Sequence, residues 1–416
     1  MGFLDRLEIR NDSNTISSPA ELEELLRLGS NVTAAGRRVT PRSALGSSPV
    51  WAAIELLAGS ISGMPVHMYR RLDNDGKEIV KPNEHRVARL VSQRPNKTQD
   101  SVRWRRYMQL NRGANGKCYA FINRGRGGRV LELVALPAAQ VEKYVRGGSF
   151  VYRIDAASPL TGEFAPQEIL EITWVDHIRY DGLIEGMGPV QACRESIGLG
   201  IEAARHAALM LQNGARGSGT LTYDGKIGNP EKIKSVRTQW NDAMGGDKNY
   251  GTAVLDGGWK YTPITMKAID IQLIEQLKFS VEDAARMFGV PSAMIASTDQ
   301  AIRANVEQQS LNYVVHHLMP HIEAWEAALT TQLLTEREQQ EFFFEFNVDR
   351  LLRGDFKSRM QGYGFAIQHK IMNPNEVRVR ENMNRYEGGD EYANPNVESR
   401  SADSQGLSDD TDRESE

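Results

Sequence analysis

A chain of 416 residues exceeds what one hydrophobic core usually organises, so two or three parts are expected. Hydrophobic residues make up 40% and charged residues 25%, and no run approaches the roughly 18 apolar residues of a membrane span, so the chain reads as soluble, with no membrane partner. A net charge of −4 argues against a protein that grips nucleic acid over its whole surface, and the distant Cys118 and Cys193 argue against a disulfide framework or a zinc module. Both thiols are expected buried and reduced. The opening MGFLDRLEIRNDSN carries acids where a signal peptide needs an apolar stretch, and Arg6 stands where a myristoylation motif needs Ser or Thr; use in the cytoplasm is expected.

In chain order, residues 1–47 combine a short helical pattern, Pro19 to Leu28, with a Ser, Gly and Arg-rich stretch, and read as a flexible arm before a body that starts near Ser48. SSPVWAAIELLAGSISGMP predicts a helix capped by Ser48, with Pro49 in its first turn and Gly63 and Pro65 ending it. VHMYRRL and KEIV flank an Asp75-Gly76 turn, and GKCYAFINR and RVLELVALP flank a GRGG turn, which predicts two hairpins. Further strands are expected in YVRGGSFVYRI and EILEITWVDHI, making 65–180 β-rich.

Gly188 to Gly214 then predicts one long helix, with Pro189 at its start, Ile197, Ile201 and Leu209 on one face, and Ala203, Ala204, Ala207 and Ala208 leaving it thin enough for close helix approach. A β-α-β-β insertion follows: GTLTYDG, the helix NPEKIKSVRTQWNDAM, a GGDKNYG loop, TAVLDGG and KYTPI. The chain returns through a second helix, Ile269 to Phe288. From Ala301 to Leu334, Leu311, Val315, Leu318, Ile322, Trp325, Leu329 and Leu333 form one apolar stripe along a helix of about 50 Å, which Pro320 should kink. A strand, QEFFFEFNV, and helices Phe356 to His369 and Asn375 to Asn384 precede a tail in which Asn396 to Glu416 holds seven acids and two arginines and should be disordered.

The catalytic patterns sought are missing. Gly113 to Cys118 ends in GKC without the first glycine of a phosphate-binding loop, and GARGSG follows a helix and precedes a strand, the reverse of the nucleotide-binding order. His317 and His321 share a helix face but form no HExxH, and there is no GxSxG elbow. No catalytic, cofactor-binding or metal residue is nominated; a nuclease or protease with scattered catalytic residues would show no such pattern. Ser101 to Arg129 holds Arg103, Arg105, Arg106, Arg112, Lys117, Arg124, Arg126 and Arg129 without an acid, interleaved with Trp104, Tyr107, Tyr119 and Phe121. Two readings stay open for it: a solvated helix face and hairpin with core aromatics, or a stacking platform for single-stranded nucleic acid.

Taken together, SPVWAAIELLAGSISGMPVHMYRR, PNKTQD with GKCYAFINR, GMGPVQACRESIGLGIEAARHAALMLQNGARGSGTL, EDAARMFGVPSAMI, NVEQQSLNYVVHHLMPHIEAWEAAL, VDRLLRGD and IMNPNEVRVRENMNRYEGGD stand in an order that resembles the portal, or head-tail connector, proteins of tailed bacteriophages, in the branch of lambdoid and related long-tailed phages. The resemblance implies a mixed α+β chain that forms a ring of about twelve subunits around a DNA tunnel. It implies a β-rich wing at 48–187 with strand 341–348, a stem helix at 188–214, an α/β clip at 215–267 and a second stem helix at 268–288. A tunnel loop at 289–302, a kinked helix at 303–334, a return to the wing at 335–354, a helical crown at 355–387 and a disordered acidic tail at 388–416 complete it. Ser297, Thr298, Asp299, Gln300 and Arg303 would face DNA, and Lys232, Lys234, Arg237 and Trp240 of the clip would meet the packaging motor. Implied partners are double-stranded DNA in transit, the terminase large subunit, a head-tail adaptor and the major capsid protein or scaffold. The implied place is the capsid's portal vertex in the virion, after assembly in the host bacterial cytoplasm. No cofactor and no enzymatic activity are implied.

Overall fold

The computed structural model describes residues 33–34, 36–73, 76–147, 149–155, 160–178, 184–212, 219–223, 230–244, 259–263, 280–295, 311–348, 351, 356–381 and 383–392. The chain forms two units, Met1–Val348 and Asp349–Glu416. In the first, the packed body starts earlier than Ser48: Thr33, Val39 and Ala44 are buried, Ala34 N donates to Glu195 Oε2 at 2.8 Å, and α1 (Pro41–Ala44) is capped by Thr40. The polar composition of that stretch hid the few apolar and capping residues that dock it.

Helix α2 (Ser48–Gly63) forms as expected, with Pro49 in its first turn, although Ser47 is the cap position and makes no side-chain cap bond. Strands β1 (Val66–Arg71) and β2 (Lys77–Ile79) pair as the first hairpin. Helix α3 (Arg86–Ser92) leads to α4 (Ser101–Asn115), whose cap Asp100 accepts from Arg103 N at 2.7 Å. Helices α2 and α4 pack closely at Gly113, where a Cβ would lie 3.1 Å from Ile54 Cγ2.

Strands β3 (Lys117–Arg124) and β4 (Val130–Leu136) form the second hairpin, with Gly127 and Gly128 at positive φ in its turn. Strands β5 (Val141–Arg146), β6 (Ser149–Ile154) and β7 (Gly162–Phe164) make a second antiparallel sheet, and β8 (Ile169–Thr173) completes the order β4-β3-β8. Tyr119, Leu136, Val141, Tyr152, Ile154 and Ile169 fill the space between these two sheets. A polar group is satisfied inside this wall. The Glu171 carboxylate accepts from Tyr152 OH and Lys143 Nζ, both at 2.7 Å, and from Tyr119 OH at 3.2 Å. Such a buried charge is tolerated because it is paired and hydrogen-bonded.

Strands β9 (Val175–Ile178) and β10 (Ile184–Met187) pair before α5 (Pro189–Ala192) and α6 (Arg194–Gln212). The single helix expected from Gly188 is therefore two, broken at Cys193, which sits at φ −106°, ψ 28° and is half-buried while Cys118 is buried; both are free thiols. Along α6 the expected face holds at Ile197, which is buried, and not at Leu209, which is 44% exposed. The insertion shows β11 (Gly219–Tyr223) paired with β12 (Trp259–Pro263), and α7 (Pro230–Met244) between them in sequence. The GGDKNYG and TAVLDGG segments lie outside the described residues, as do Pro19 to Leu28 and Asp75.

Helix α8 covers 280–288, and the earlier part of the expected Ile269 to Phe288 helix is outside the described residues. After α9 (Ser292–Ile295), the start of the helix expected from Ala301 lies outside the described residues; from 311 the chain is helical and runs through a π-helical stretch, Tyr313–Leu318, into α10 (Met319–Leu333). This π stretch shifts the buried stripe: Leu318, Ile322, Trp325, Leu329 and Leu333 are buried as expected, but Leu311 and Val315 are exposed and Tyr313 and Val314 are buried instead. Short α11 (Glu336–Glu341), which the strand assignment overlooked, is announced by a Thr335/Glu338 capping box. Strand β13 (Phe342–Phe346) then closes the sheet β13-β1-β2, with Val66 opposite Phe346 and Met68 opposite Phe344.

The second unit contains α12 (Phe356–Gln368) and α13 (Pro374–Arg380), the latter ending four residues before the expected Asn384. The tail expected to be disordered from 388 begins with described, docked residues. Asn375 N donates to Gly389 O at 2.9 Å, and Tyr392 OH donates to Glu376 Oε1 at 2.9 Å. Residues 393–416 are outside the described set. No helix among the described residues is long and apolar enough to cross a membrane.

Candidate functional site: a buried base and an exposed basic helix

The four aromatics of the stretch 101–129 are buried (Trp104, Tyr119) or half-buried (Tyr107, Phe121), so no ring of it stands exposed and the stacking-platform reading gains no support. On α4, Ser101, Trp104, Arg105, Met108, Gln109 and Arg112 all lie on the buried face, at the spacing of one helix side. Arg105 Nη2 donates to Ser62 O at 2.9 Å and Met64 O at 3.0 Å, and Nη1 donates to Ser101 Oγ at 2.6 Å. It thus satisfies carbonyls left over at the C-terminus of α2, where no intrahelical donor is available. Trp104 stands edge-on to Trp325 at 5.8 Å, and Trp325 Nε1 donates to Gln109 Oε1 at 2.9 Å. Burial lowers the Arg105 and Arg112 guanidinium pKa values to about 10 each, so both remain charged at neutral pH. Arg103, Arg126 and Arg129 stay exposed, Arg106 pairs with Glu55, and Lys117 pairs with Glu185. Arg124 is spent on backbone carbonyls, including Gln332 O at 3.0 Å.

Arg112 leads to the base from which the segment 296–310 departs. Its Nε donates to Thr173 O at 2.8 Å, and its guanidinium lies 5.6 Å from the Trp174 ring centre. Trp174 meets Phe288 edge-on at 6.0 Å and His321 at 4.3 Å. Phe288 and Val290 are buried, and Gly289 takes φ +63° where a Cβ would come 2.9 Å from His317 Nδ1. The two flanks of 296–310 therefore meet one wall of α4, Trp174, α8 and α10, in which Phe288 is buried and Trp174 and His321 are half-buried. The His321 imidazole is held down at about 3 by burial first, and then by Arg112 and His317. Beside His317 and His321, read from sequence as a shared face, no group of three or more His, Cys, Asp or Glu is placed for a metal among the described residues.

The end of α4 and the chain entering α5 meet at a backbone crossing. Gly116 (φ 76°) ends α4, and a Cβ there would lie 2.2 Å from Gly188 N, while a Cβ on Gly188 would lie 2.5 Å from Gly116 Cα. Only two glycines permit this approach. Gln332 fixes α10 to the sheet in the same manner as a strand, donating to Glu171 O and accepting from Glu171 N at 2.8 Å each.

Of the residues expected to face DNA, Ser297, Thr298, Asp299, Gln300 and Arg303 all lie outside the described residues. Of those expected to meet a motor, Lys234 and Arg237 are exposed on α7, Trp240 is half-buried, and Lys232 belongs to the helix with its side chain outside the described set. Ile233 beside them is 50% exposed. The base itself was missed from sequence, since Arg112, Trp174, Phe288 and His321 come from four distant segments and no local spacing links them.

Comparison with known proteins fits this architecture. The profile of the family described as phage portal protein matches residues 48–382. The portal protein of Enterobacteria phage HK97 is 26% identical over 345 residues, covering 82% of this chain and 80% of that one. An HK97 family phage portal protein from Corynebacterium diphtheriae has the same fold at a TM-score of 0.57 and 18% identity, covering 76% of this chain and 98% of its own. A chain in the neck of a native GTA particle, computed with C12 symmetry, matches at a TM-score of 0.51 and 19% identity over 90% of this chain and 96% of that one. With its profile matched across the wall, the crossing and the long helix alike, this chain belongs to the phage portal protein family.

Proposed function

We propose that the chain is a subunit of the portal ring at a unique capsid vertex, the channel for DNA packaging and ejection. The observation that carries this reading is the unbroken family match from 48 to 382, which spans both the β-rich body and the long-helix scaffold. A ring of about twelve copies is supported by the C12 symmetry of the neck to which a similar chain belongs. Under this reading the sheets around β3 and β13 act as wing, α6 and α8 as stem, and β11, α7 and β12 as clip. Residues 289–302 serve as tunnel loop, and α12 and α13 as crown. The wall of Trp174, Phe288 and His321 gives that loop a rigid seat, while the loop's own Ser297, Thr298, Asp299 and Gln300 supply small polar contact without positive charge. Weak contact suits a duplex that must slide, because each neutralised phosphate adds affinity.

The terminase large subunit and a head-tail adaptor are assigned to the exposed face of α7, where Lys234 and Arg237 steer and Ile233 and Trp240 anchor. The major capsid protein or scaffold would surround the wing, and assembly would take place in the bacterial cytoplasm. The chain is assigned no catalytic step. Antibody against the chain should label intact particles at one vertex, where the tail attaches; labelling spread over the whole shell would contradict the assignment.

A further inference from the structure

The second unit is built with its polarity reversed. Among its described residues, Asn373, Asn375 and Gly389 are buried and no large apolar side chain is. Its internal joints are polar. Glu381, just past α13, accepts from Arg359 Nε at 3.2 Å and from Tyr363 OH at 3.1 Å, which ties it to α12. Asn375 Nδ2 donates to Tyr386 O at 2.8 Å and Asn375 Oδ1 accepts from Tyr386 N at 2.9 Å, which clamps the chain after α13 onto its first turn. The large apolar side chains stand outside. Phe365 is 59% and Ile371 65% exposed, and Val379, Met383, Tyr386 and Tyr392 are about half exposed.

Such joints add little stability, because each hydrogen bond made in the fold replaces one made with water, whereas burial of large apolar side chains is what holds a fold together. A unit this small commonly relies on another copy to supply the missing core. The chain that follows is too polar to do so: 393–416 holds Val397 and Leu407 as its only large apolar residues, among seven acids. In a closed ring, by contrast, every copy of a unit lies at the same height. The second unit therefore has a second unit on either side, and contact around the ring joins two different faces of it. We propose that the second unit is completed by the second units of the adjacent copies, with the α12 face that carries Phe365 set against the α13 face that carries Val379 on the next copy. The unit is then loosely held in a single copy and firmly held in the ring. This inference rests on the ring reading and adds to it the residues that close one layer of the ring.

The test uses the full-length chain carrying Cys193→Ser, which leaves buried Cys118 as the one native thiol, sorted by native mass into single copies and rings. Phe365→Cys and Val379→Cys both replace exposed residues, so neither removes a core contact. Each should react with a thiol reagent at least about tenfold more slowly in rings than in single copies. Rings co-expressed from Phe365→Cys copies and Val379→Cys copies should also give linked pairs with a short bis-maleimide that rings of either variant alone do not, a readout that needs no single copies. Equal labelling in the two forms, or rings without such linked pairs, would overturn the proposal and leave the ring in place. Slow labelling already in single copies would overturn it too, by placing the cover within one chain. A chain that forms no ring under any condition would remove the ring reading and this proposal together.

Discussion

Helices α4 and α7 look alike in sequence, each fifteen residues long and mixing cations with tryptophan, yet one is a core element and the other a surface. Arg105 and Arg112 of α4 stand on the same face as Trp104 and Met108, and they end on backbone carbonyls; Lys234 and Arg237 of α7 stand exposed. Composition is therefore a poor guide to nucleic-acid contact. Position on the helix decides, because a guanidinium sharing the apolar face must find acceptors inside.

The largest effects should come from damaging the side of the comparison that is buried. Gly116→Ala places a Cβ into the backbone of Gly188 at a positive φ, and should cost more than about 3 kcal/mol, seen as loss of folded protein or a large fall in thermal midpoint. Arg105→Leu leaves the carbonyls of Ser62 and Met64 without donors and should cost about 3 kcal/mol in chemical denaturation, whereas Arg103→Leu on the exposed side should stay within about 0.5 kcal/mol. Equal costs for the two arginines would break the comparison.

A smaller, pH-linked effect should come from His321. Its folded pKa of about 3 lies below the ordinary 6.5, so the unfolded chain binds the proton more readily. Stability is then full above pH 6.5 and falls as pH drops toward 3, by up to about 2 kcal/mol between pH 6.5 and pH 5. His321→Gln should flatten that slope in denaturation measured across this range. The smallest effect on stability should come from α7. Reversing Lys232, Lys234 and Arg237 to Glu should leave stability within about 0.5 kcal/mol while weakening terminase binding, which should also fall with added salt. Unchanged binding would move the docking surface elsewhere.

Much of the fold was legible because its signals are local. Pro49 and Gly63 bound α2, the glycines of GRGG make the β3–β4 turn, and the Leu318 to Leu333 stripe faces inward. Errors arose where a local rule met a long-range one. The stripe fails at Leu311 and Val315 because Pro320 imposes a π turn upstream, and the Gly188 helix breaks at Cys193 shortly after the Gly116 crossing. The aromatic and basic stretch left two readings open for the same reason: its acceptors, the carbonyls of Ser62, Met64 and Thr173, are invisible in composition. Of the candidate site, the helix carrying Lys234 and Arg237 could be read directly, whereas the wall of Arg112, Trp174, Phe288 and His321 exists only once four segments are folded together.

The central claim is that this chain works as a closed ring around a channel. Purified protein should be imaged by electron microscopy and weighed by native mass measurement across a range of salt and concentration. Closed rings of about twelve copies with a central hole wide enough for a DNA duplex are the expected result. Monomers or dimers under every condition would contradict the account.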